Sequence, residues 1–252
     1  MSDFTVKTFR EVGVRTPEER QIMLESWPEF MRQDPIGNAY FDRLRTDFGD
    51  FQFMLYDGDT LAVVCHSIPV RWDLNEHYLP NRGWDWALET GFELLERGET
   101  PITLCAIGIQ VARAYQGKGV SQQAVRAMKQ IAVQHGFNAL IAPVRPSLKH
   151  RYPLTPMARY VEWTQADGTP FDPWLRTHWR LGAKIVKVAQ QSMIIPGSVA
   201  EWESWAEMKF PDSGDYVVPL ALNPVNVEVE RDLVTYIEPN VWMHHPIQQA
   251  GA

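Results

Sequence analysis

The chain has 252 residues, enough for one large domain, and its 45% apolar and 22% charged residues are ordinary for a soluble globular protein. A formal charge of −7 argues against a nucleic-acid partner, which needs a basic face, and no stretch approaches the roughly 20 apolar residues of a membrane span. The N-terminus lacks the apolar core of a signal peptide, so we expect a cytoplasmic protein that neither binds nor crosses a membrane.

Sequence patterns predict the elements of the first hundred residues. In chain order they are a strand over residues 4–12, a helix from residue 17, a second helix over residues 38–48, a hairpin over residues 51–70 and a helix over residues 83–98. Thr16 and Glu19 have the spacing of a capping box, with Pro17 in the first helical position. Asp57 and Gly58 form a turn signal between two β-rich runs.

The rest of the chain predicts a second group of elements around one glycine-rich loop. They are a strand over residues 102–112, a helix over residues 120–135, a strand over residues 138–144, a long insertion over residues 147–171, a short helix over residues 172–182, a strand over residues 183–195 and a helix over residues 199–208. The tail after residue 210 reads as extended strands. We therefore predict an α+β fold, a mixed sheet flanked by helices, with a main unit over residues 1–210 and a β-rich extension over residues 211–252 packed on it.

The segment AYQGKGVSQQAV, residues 114–125, places two glycines around a lysine just before the predicted helix. A Walker loop requires a glycine where Ala112 stands and a serine or threonine where Gly119 stands. The dinucleotide fingerprint requires a third glycine where Gln122 stands. Both phosphate motifs are therefore rejected.

The same segment matches the pyrophosphate loop of coenzyme A sites, (Q/R)xxGx(G/A), through Gln116, Gly117, Lys118, Gly119, Val120 and Ser121. The match departs from the motif at Ser121, which stands for the final small residue. Glycines allow positive φ and let phosphates approach the backbone closely. Successive amide groups at a helix N-terminus then form a concave donor site for an anion.

With its flanking strand and helix, the run IGIQVARAYQGKGVSQQAV resembles the strand-loop-helix core of the GNAT acyltransferase superfamily. The order of predicted elements over residues 4–196 resembles that family as well. The resemblance implies a GNAT-like fold that binds an acyl-CoA, such as acetyl-CoA, as co-substrate. Residues 116–121 would hold the diphosphate, and Ile109 and Val111 of the preceding strand would also contact the coenzyme.

The resemblance also implies catalytic positions. In this family a β-bulge leaves a backbone N–H of the central strand free to polarise the thioester carbonyl, and the matching position is Val111. The family's proton donor is a tyrosine four residues before a glycine, and His178 stands there before Gly182. A histidine with a pKa near 6.5 would hold a proton and release it near neutral pH.

The general base that deprotonates the acceptor is less well indicated. Glu162, in the aromatic insertion, and His66, in the hairpin strand, are the candidates, and a base supplied by no side chain is the alternative. The adjacent pair His244 and His245 is not read as a metal site, because successive side chains of a strand point to opposite faces. Cys65 and Cys105 form no metal-ligand spacing either, so we expect no metal.

The leading hypothesis is an acyl-CoA-dependent N-acyltransferase that acetylates a small-molecule amine. One alternative is acyl transfer to or from an acyl-carrier thiol or hydroxyl in a biosynthetic pathway. Another is a non-catalytic GNAT-like protein that binds CoA or a partner. The extended tail also suggests strand pairing across a two-fold axis, so we expect a homodimer.

Overall fold

Nine strands form one mixed sheet in the computed structural model, which describes residues 4–247. The strands are β1 (Thr5–Thr8), β2 (Gln52–Asp57), β3 (Thr60–Val70), β4 (Thr103–Val111), β5 (Ala139–Val144), β6 (Lys184–Gly197), β7 (Gly214–Tyr216), β8 (Val225–Glu228) and β9 (Leu233–Pro246). Their order is β1-β2-β3-β4-β5-β9-β8-β7, and β6 pairs with β9 off this path. Only β4 and β5 pair in parallel.

Helices cover both faces of this sheet. They are α1 (Phe9–Val12), α2 (Pro17–Ser26), α3 (Pro35–Tyr40), α4 (Leu44–Asp47), α5 (Gly83–Arg97), α6 (Val120–Gln134), α7 (Met157–Tyr160), α8 (Pro173–Arg180) and α9 (Val199–Ala206). Phe92 of α5 and Met128 of α6 belong to separate buried cores. Adjacent side chains of a strand point to opposite faces, and accordingly Trp242 of β9 packs in the core of Phe92 while Met243 packs in the core of Met128. The predicted α+β class is confirmed.

The first predicted strand is too long. β1 ends at Thr8 because this residue is the N-cap of α1. The Thr8 hydroxyl accepts a hydrogen bond from the Glu11 amide, and the Glu11 carboxylate accepts one from the Thr8 amide. Gly13, at φ 79°, ends the helix in the left-handed conformation. Alternating hydrophobicity over residues 4–12 concealed this capping box.

The next helices begin and end close to the predicted signals. Thr16 accepts from the Glu19 amide, and α2 ends before Trp27 and Pro28. The Glu19 carboxylate does not accept a hydrogen bond from the Thr16 amide, because it is buried and forms an ion pair with Arg45. The single helix predicted over residues 38–48 is instead α3 and α4, separated by a 3-10 turn.

The insertion over residues 147–171 is ordered around one buried carboxylate. Asp172 caps α8 through the amides of Trp174 and Leu175, and it also accepts from the Leu148 amide at 2.8 Å and the Tyr160 hydroxyl at 2.8 Å. Aromatic rings of Tyr152, Tyr160, Trp163 and Phe171 pack on one another above it. This carboxylate ties the beginning and the middle of the insertion to the start of α8.

The tail returns to the centre of the sheet. One edge of β9 pairs with β5 through residues 241–246 and with β8 through residues 233–235, while its other edge pairs with β6. Strand β7 covers only Gly214–Tyr216 of the stretch predicted as extended, and residues 217–224 form turns. The division at residue 210 and the homodimer stay predictions.

Candidate active site

A cleft opens where β4 and β5 separate. The two strands share three paired positions, of which Cys105 and Ile141 are the last. Beyond them β4 follows β3 as far as Val111, while β5 follows β9 as far as Val144. Because each strand keeps a different partner, the two splay apart and leave a cavity of ≈ 550 Å³ between them. A cleft of this size at strand ends is typical of a ligand site.

The glycine loop borders this cleft. Gly117 and Gly119 have φ of 73° and 74°, and a side chain added at either would meet open space. Among residues 4–247 we find no protein acceptor for the amides from Gly117 to Ser121. The loop therefore presents donors at the N-terminus of the 15-residue helix α6, where an anion is favoured.

Side chains on both sides of the loop face the cleft. Gln116 and Ser121 line it, and Gln116 also donates to the Val111 carbonyl at 3.2 Å, which ties the loop to the end of β4. Ile109 and Val111 of β4 line the same cavity. Lys118 is exposed, with its ammonium 5.7 Å from the Tyr115 ring centroid. The residues proposed for coenzyme binding thus lie along one continuous edge.

The bulge of the central strand lies four positions before the expected one. The register between β3 and β4 shifts at Ile107, opposite His66 and Ser67, whereas Val111 pairs regularly with Val63. The indole N–H of Trp84 donates to the Ile107 carbonyl at 2.8 Å and holds the bulge from the α5 side. A bulge leaves a residue unpaired in the ladder. The expected bulge at Val111 was wrong in position, because regular pairing continues to the strand end.

His178 lines the cleft from α8, but its protonation differs from the expectation. The side chain is 2% exposed, and its Nδ1 lies 2.9 Å from Nε2 of His245. Its Nε2 has no partner among the described residues. Burial, followed by the neighbouring His245, holds the pKa of His178 well below its usual range. The ring is therefore neutral, and it does not carry the cationic proton that the sequence suggested.

Sequence reasoning missed His245. Strand alternation separates the adjacent histidines as expected: His244 packs against Trp72 and lies 3.7 Å from a Glu76 oxygen, whereas His245 turns to His178. Burial lowers the pKa of His245 to about 3. With both rings neutral, one proton lies between them, and its position decides whether Nε2 of His178 donates or accepts.

Neither proposed base lies at the cleft. Glu162 is exposed and pairs with Arg159 at 3.0 Å on the surface. His66 is buried, with Nδ1 3.0 Å from the Gln52 amide oxygen and its ring against Phe41. Burial lowers the pKa of His66 to about 3. Neither residue is retained as the general base, because a base must come within hydrogen-bond reach of the acceptor.

A buried polar network that the sequence did not indicate forms one wall of the cleft. Glu238 of β9 is fully buried and lies 2.7 Å from Nε of Arg145. It also accepts from the Tyr236 hydroxyl and from Asn240. Burial raises the pKa of Glu238. The chain continues from Asn240 through Ser192 to the amide of Trp84, so it ends at the residue that holds the bulge.

A second cavity of ≈ 260 Å³ adjoins the cleft on the α2–α3 side. The two share the lining residues Trp27, Met31, Trp84, Ile107, Gln110 and Met193. The second cavity adds Asp34, which is 2% exposed, together with Arg15, Arg20 and Arg32. Ile107, the residue at the bulge, thus lines both cavities, so substrates bound one in each would come together at the bulge.

Residues 4–247 contain neither a candidate metal site nor a candidate membrane-spanning helix. No group of three or more histidine, cysteine, aspartate or glutamate side chains there has the arrangement of a metal site. No helix in that range is long and apolar enough to span a bilayer.

Comparison with known proteins gives a relative and a fold. No protein-family model matches the chain. The chain is 32% identical over 254 residues to the arginine N-acetyltransferase avaD of Aspergillus versicolor, and the alignment covers 89% of this chain and 87% of that protein. The loading GNATL domain of CurA from Lyngbya majuscula superimposes with a TM-score of 0.63 at 17% identity, over 98% of both chains. The GphF GNAT-like decarboxylase in complex with isobutyryl-CoA gives 0.55 at 14%, over 97% of this chain and 100% of that one.

The splayed strands, the glycine loop and the paired chambers define an acyltransferase that uses an acyl-CoA. The two structural likenesses establish the fold, and the identity to the curated relative extends over nearly the whole chain. The chain belongs to the GNAT superfamily and is an acyl-CoA-dependent N-acyltransferase.

Proposed function

We propose that this enzyme transfers the acetyl group of acetyl-CoA to an amine of free arginine. The relative at 32% identity is named an arginine N-acetyltransferase, and its alignment covers most of both chains. The second cavity supports the same acceptor, because it combines a buried carboxylate, Asp34, with three arginines. Free arginine carries charges of both signs and matches such a lining.

Acetyl-CoA would lie in the cleft with its diphosphate on the amides from Gly117 to Ser121. The glycines keep the backbone accessible there, and the helix dipole of α6 favours the negative charge. The pantetheine arm would pass between β4 and β5 beside Ile109 and Val111. The thioester would then reach the bulge at Ile107, where an unpaired backbone amide of the strand polarises its carbonyl.

In the transfer, the neutral amine attacks the thioester carbonyl carbon, a C–N bond forms, the C–S bond breaks and CoA leaves as a thiolate. The amine gives up one proton and the thiolate gains one. We propose that His178 faces the departing sulfur with Nε2–H, which requires His245 to donate to its Nδ1. A neutral imidazole can stabilise the thiolate through this hydrogen bond without first being protonated.

The single observation that carries this proposal is that the residue at the bulge, Ile107, lines both cavities. Calorimetric titration with acetyl-CoA tests the first chamber. Release of free CoA thiol with L-arginine, followed by mass spectrometry of the product, tests the transfer. We expect saturable binding and one acetyl group on the α-nitrogen of arginine. If acetyl-CoA binds but no CoA thiol is released in the presence of arginine or any other amine, catalysis is refuted and the protein only binds CoA.

A further inference from the structure

The second cavity holds a carboxylate whose charge the protein leaves uncompensated. Oδ2 of Asp34 accepts from the Gly37 amide at 2.6 Å and caps α3. Its Oδ1 is buried without a hydrogen-bond partner among the described residues, and no ion pair involves Asp34 there. A buried carboxylate without a counter-charge destabilises the fold unless a bound ligand supplies the positive charge.

Other charges nearby do not supply the missing partner. Burial raises the pKa of Asp34 to about 6, and the nearest carboxylates, Asp85 and Glu89, add to the negative field. Arg15, Arg20 and Arg32 also line this cavity, but none of them forms an ion pair with Asp34 among the described residues. Arg82, which lowers the pKa of Asp34, is bound to Glu89 at 2.6 Å. The site therefore favours a cation brought in from outside.

Aromatic rings make the cavity specific for a flat cation. Trp27, Phe41 and Trp84 line it, and the Phe41 and Trp84 rings stack at a centroid distance of 6.1 Å. A guanidinium binds a carboxylate through its hydrogen-bond fork and stacks on aromatic faces, whereas an ammonium is a more strongly hydrated point charge. The lining thus matches a guanidinium better than any other common cation.

The position of Asp34 relative to the bulge sets the orientation of the acceptor. The pyrrole edge of Trp84 binds the Ile107 carbonyl, and its opposite edge faces Gly37. A Cβ at Gly37 would lie 3.3 Å from both the Trp84 ring and Oδ2 of Asp34. The carboxylate therefore lies on the side of the indole that faces away from the bulge, so a group held there is not the one that reacts.

We propose that Asp34 binds the guanidinium of the acceptor and so makes the enzyme selective for arginine over neutral amino acids of the same shape. This inference rests on the proposed function. The arginine side chain then lies along the indole of Trp84, and the α-amine reaches the bulge. Asp34 acts in acceptor binding and takes no part in proton transfer.

The test compares L-arginine with L-citrulline, which has the same length and a neutral urea in place of the guanidinium. Dissociation constants are measured by calorimetry on the CoA-saturated full-length enzyme and on its Asp34→Asn and Asp34→Ser variants. Asparagine and serine both retain the helix cap, so α3 is expected to persist. We expect either variant to weaken arginine binding about 10- to 100-fold while citrulline binding stays within about threefold.

Asp59→Asn is the control, because Asp59 is an exposed carboxylate of the β2–β3 turn that lines neither cavity, and this variant is expected to leave both constants unchanged. Equal effects of Asp34→Asn on arginine and citrulline, or none on either, would overturn the assignment while arginine acetylation by the wild type stands. If the wild type acetylates lysine and not arginine, the proposed acceptor is wrong. The role of Asp34 is then tested by comparing the dissociation constants of lysine and its neutral analogue norleucine in the same variants. If no cationic amino acid is acetylated, both proposals fail.

Discussion

The ring nitrogens of His178 and His245 lie 2.9 Å apart, although 67 positions separate the residues in the chain. His178 lies on α8 and lines the cleft, His245 lies on β9 behind it, and both rings are buried. In the proposed mechanism this contact lets a neutral His178 act at the leaving-group position, although its pKa is too low for it to be cationic at neutral pH.

Removing His178 should impair turnover more than coenzyme binding. We expect His178→Ala to lower kcat about 100-fold, because general acid catalysis contributes at least that much, and to change the KM for acetyl-CoA only a few-fold. Steady-state kinetics check this split. If His245 positions the ring by donating to it, His245→Gln, whose amide can still donate, should retain more kcat than His245→Leu at equal thermal stability. Unchanged turnover in His178→Ala would remove both residues from the mechanism.

Alanine at Gly117 or Gly119 should weaken acetyl-CoA binding through the backbone and not through a clash. Both positions have positive φ and open space where a Cβ would stand, so alanine costs about 1–2 kcal/mol or shifts the loop. We expect the Kd for acetyl-CoA to rise about tenfold by calorimetry. Gly58→Ala is the control, since Gly58 has φ of 59° and open space in the β2–β3 turn. It should lower stability and leave the Kd unchanged; an equal rise there would refute the phosphate role of the loop.

The buried carboxyl of Asp85 should make stability fall at alkaline pH. Burial, followed by Asp34, raises its pKa to about 8, above the value near 3.9 of an unfolded chain. The associated stability is therefore present at acid pH and lost as pH rises through about 8. Relative to Asp85→Asn, the wild type should lose about 3 kcal/mol of unfolding free energy between pH 6 and pH 9 in urea titrations. Asp59→Asn, in an exposed turn, should show no such trend; a constant difference for Asp85→Asn would contradict the shifted pKa.

Arg145 should stabilise the fold mainly by compensating Glu238. Arg145→Met leaves a fully buried carboxylate without its cation, which costs about 3 kcal/mol of unfolding free energy. We expect Arg145→Met/Glu238→Gln to recover more than half of that loss in urea unfolding. Arg159→Met, which breaks the exposed pair with Glu162, should cost less than about 0.5 kcal/mol. No recovery in the double variant would show that Arg145 acts through other contacts.

Local signals in the sequence were sufficient where the physics is local. The Asp57-Gly58 turn and the cap at Thr16 each depend on residues within a few positions of one another. The glycine loop belongs to the same group, because its donors and its positive φ values lie within six residues. For this reason the family could be predicted before any coordinates were known, whereas the role of the loop in coenzyme binding stays a prediction.

The remainder of the site depended on which distant segments meet. Only the tertiary structure placed the bulge at Ile107, since its position follows from the register of β4 against β3. Only the fold joined His245 to His178, brought Glu238 to Arg145 and left Asp34 uncompensated, because each of these is a property of a contact between elements far apart in the chain. Burial, more than neighbouring charges, then keeps His178 and His245 neutral, and a linear pattern of residue types does not specify burial at single positions.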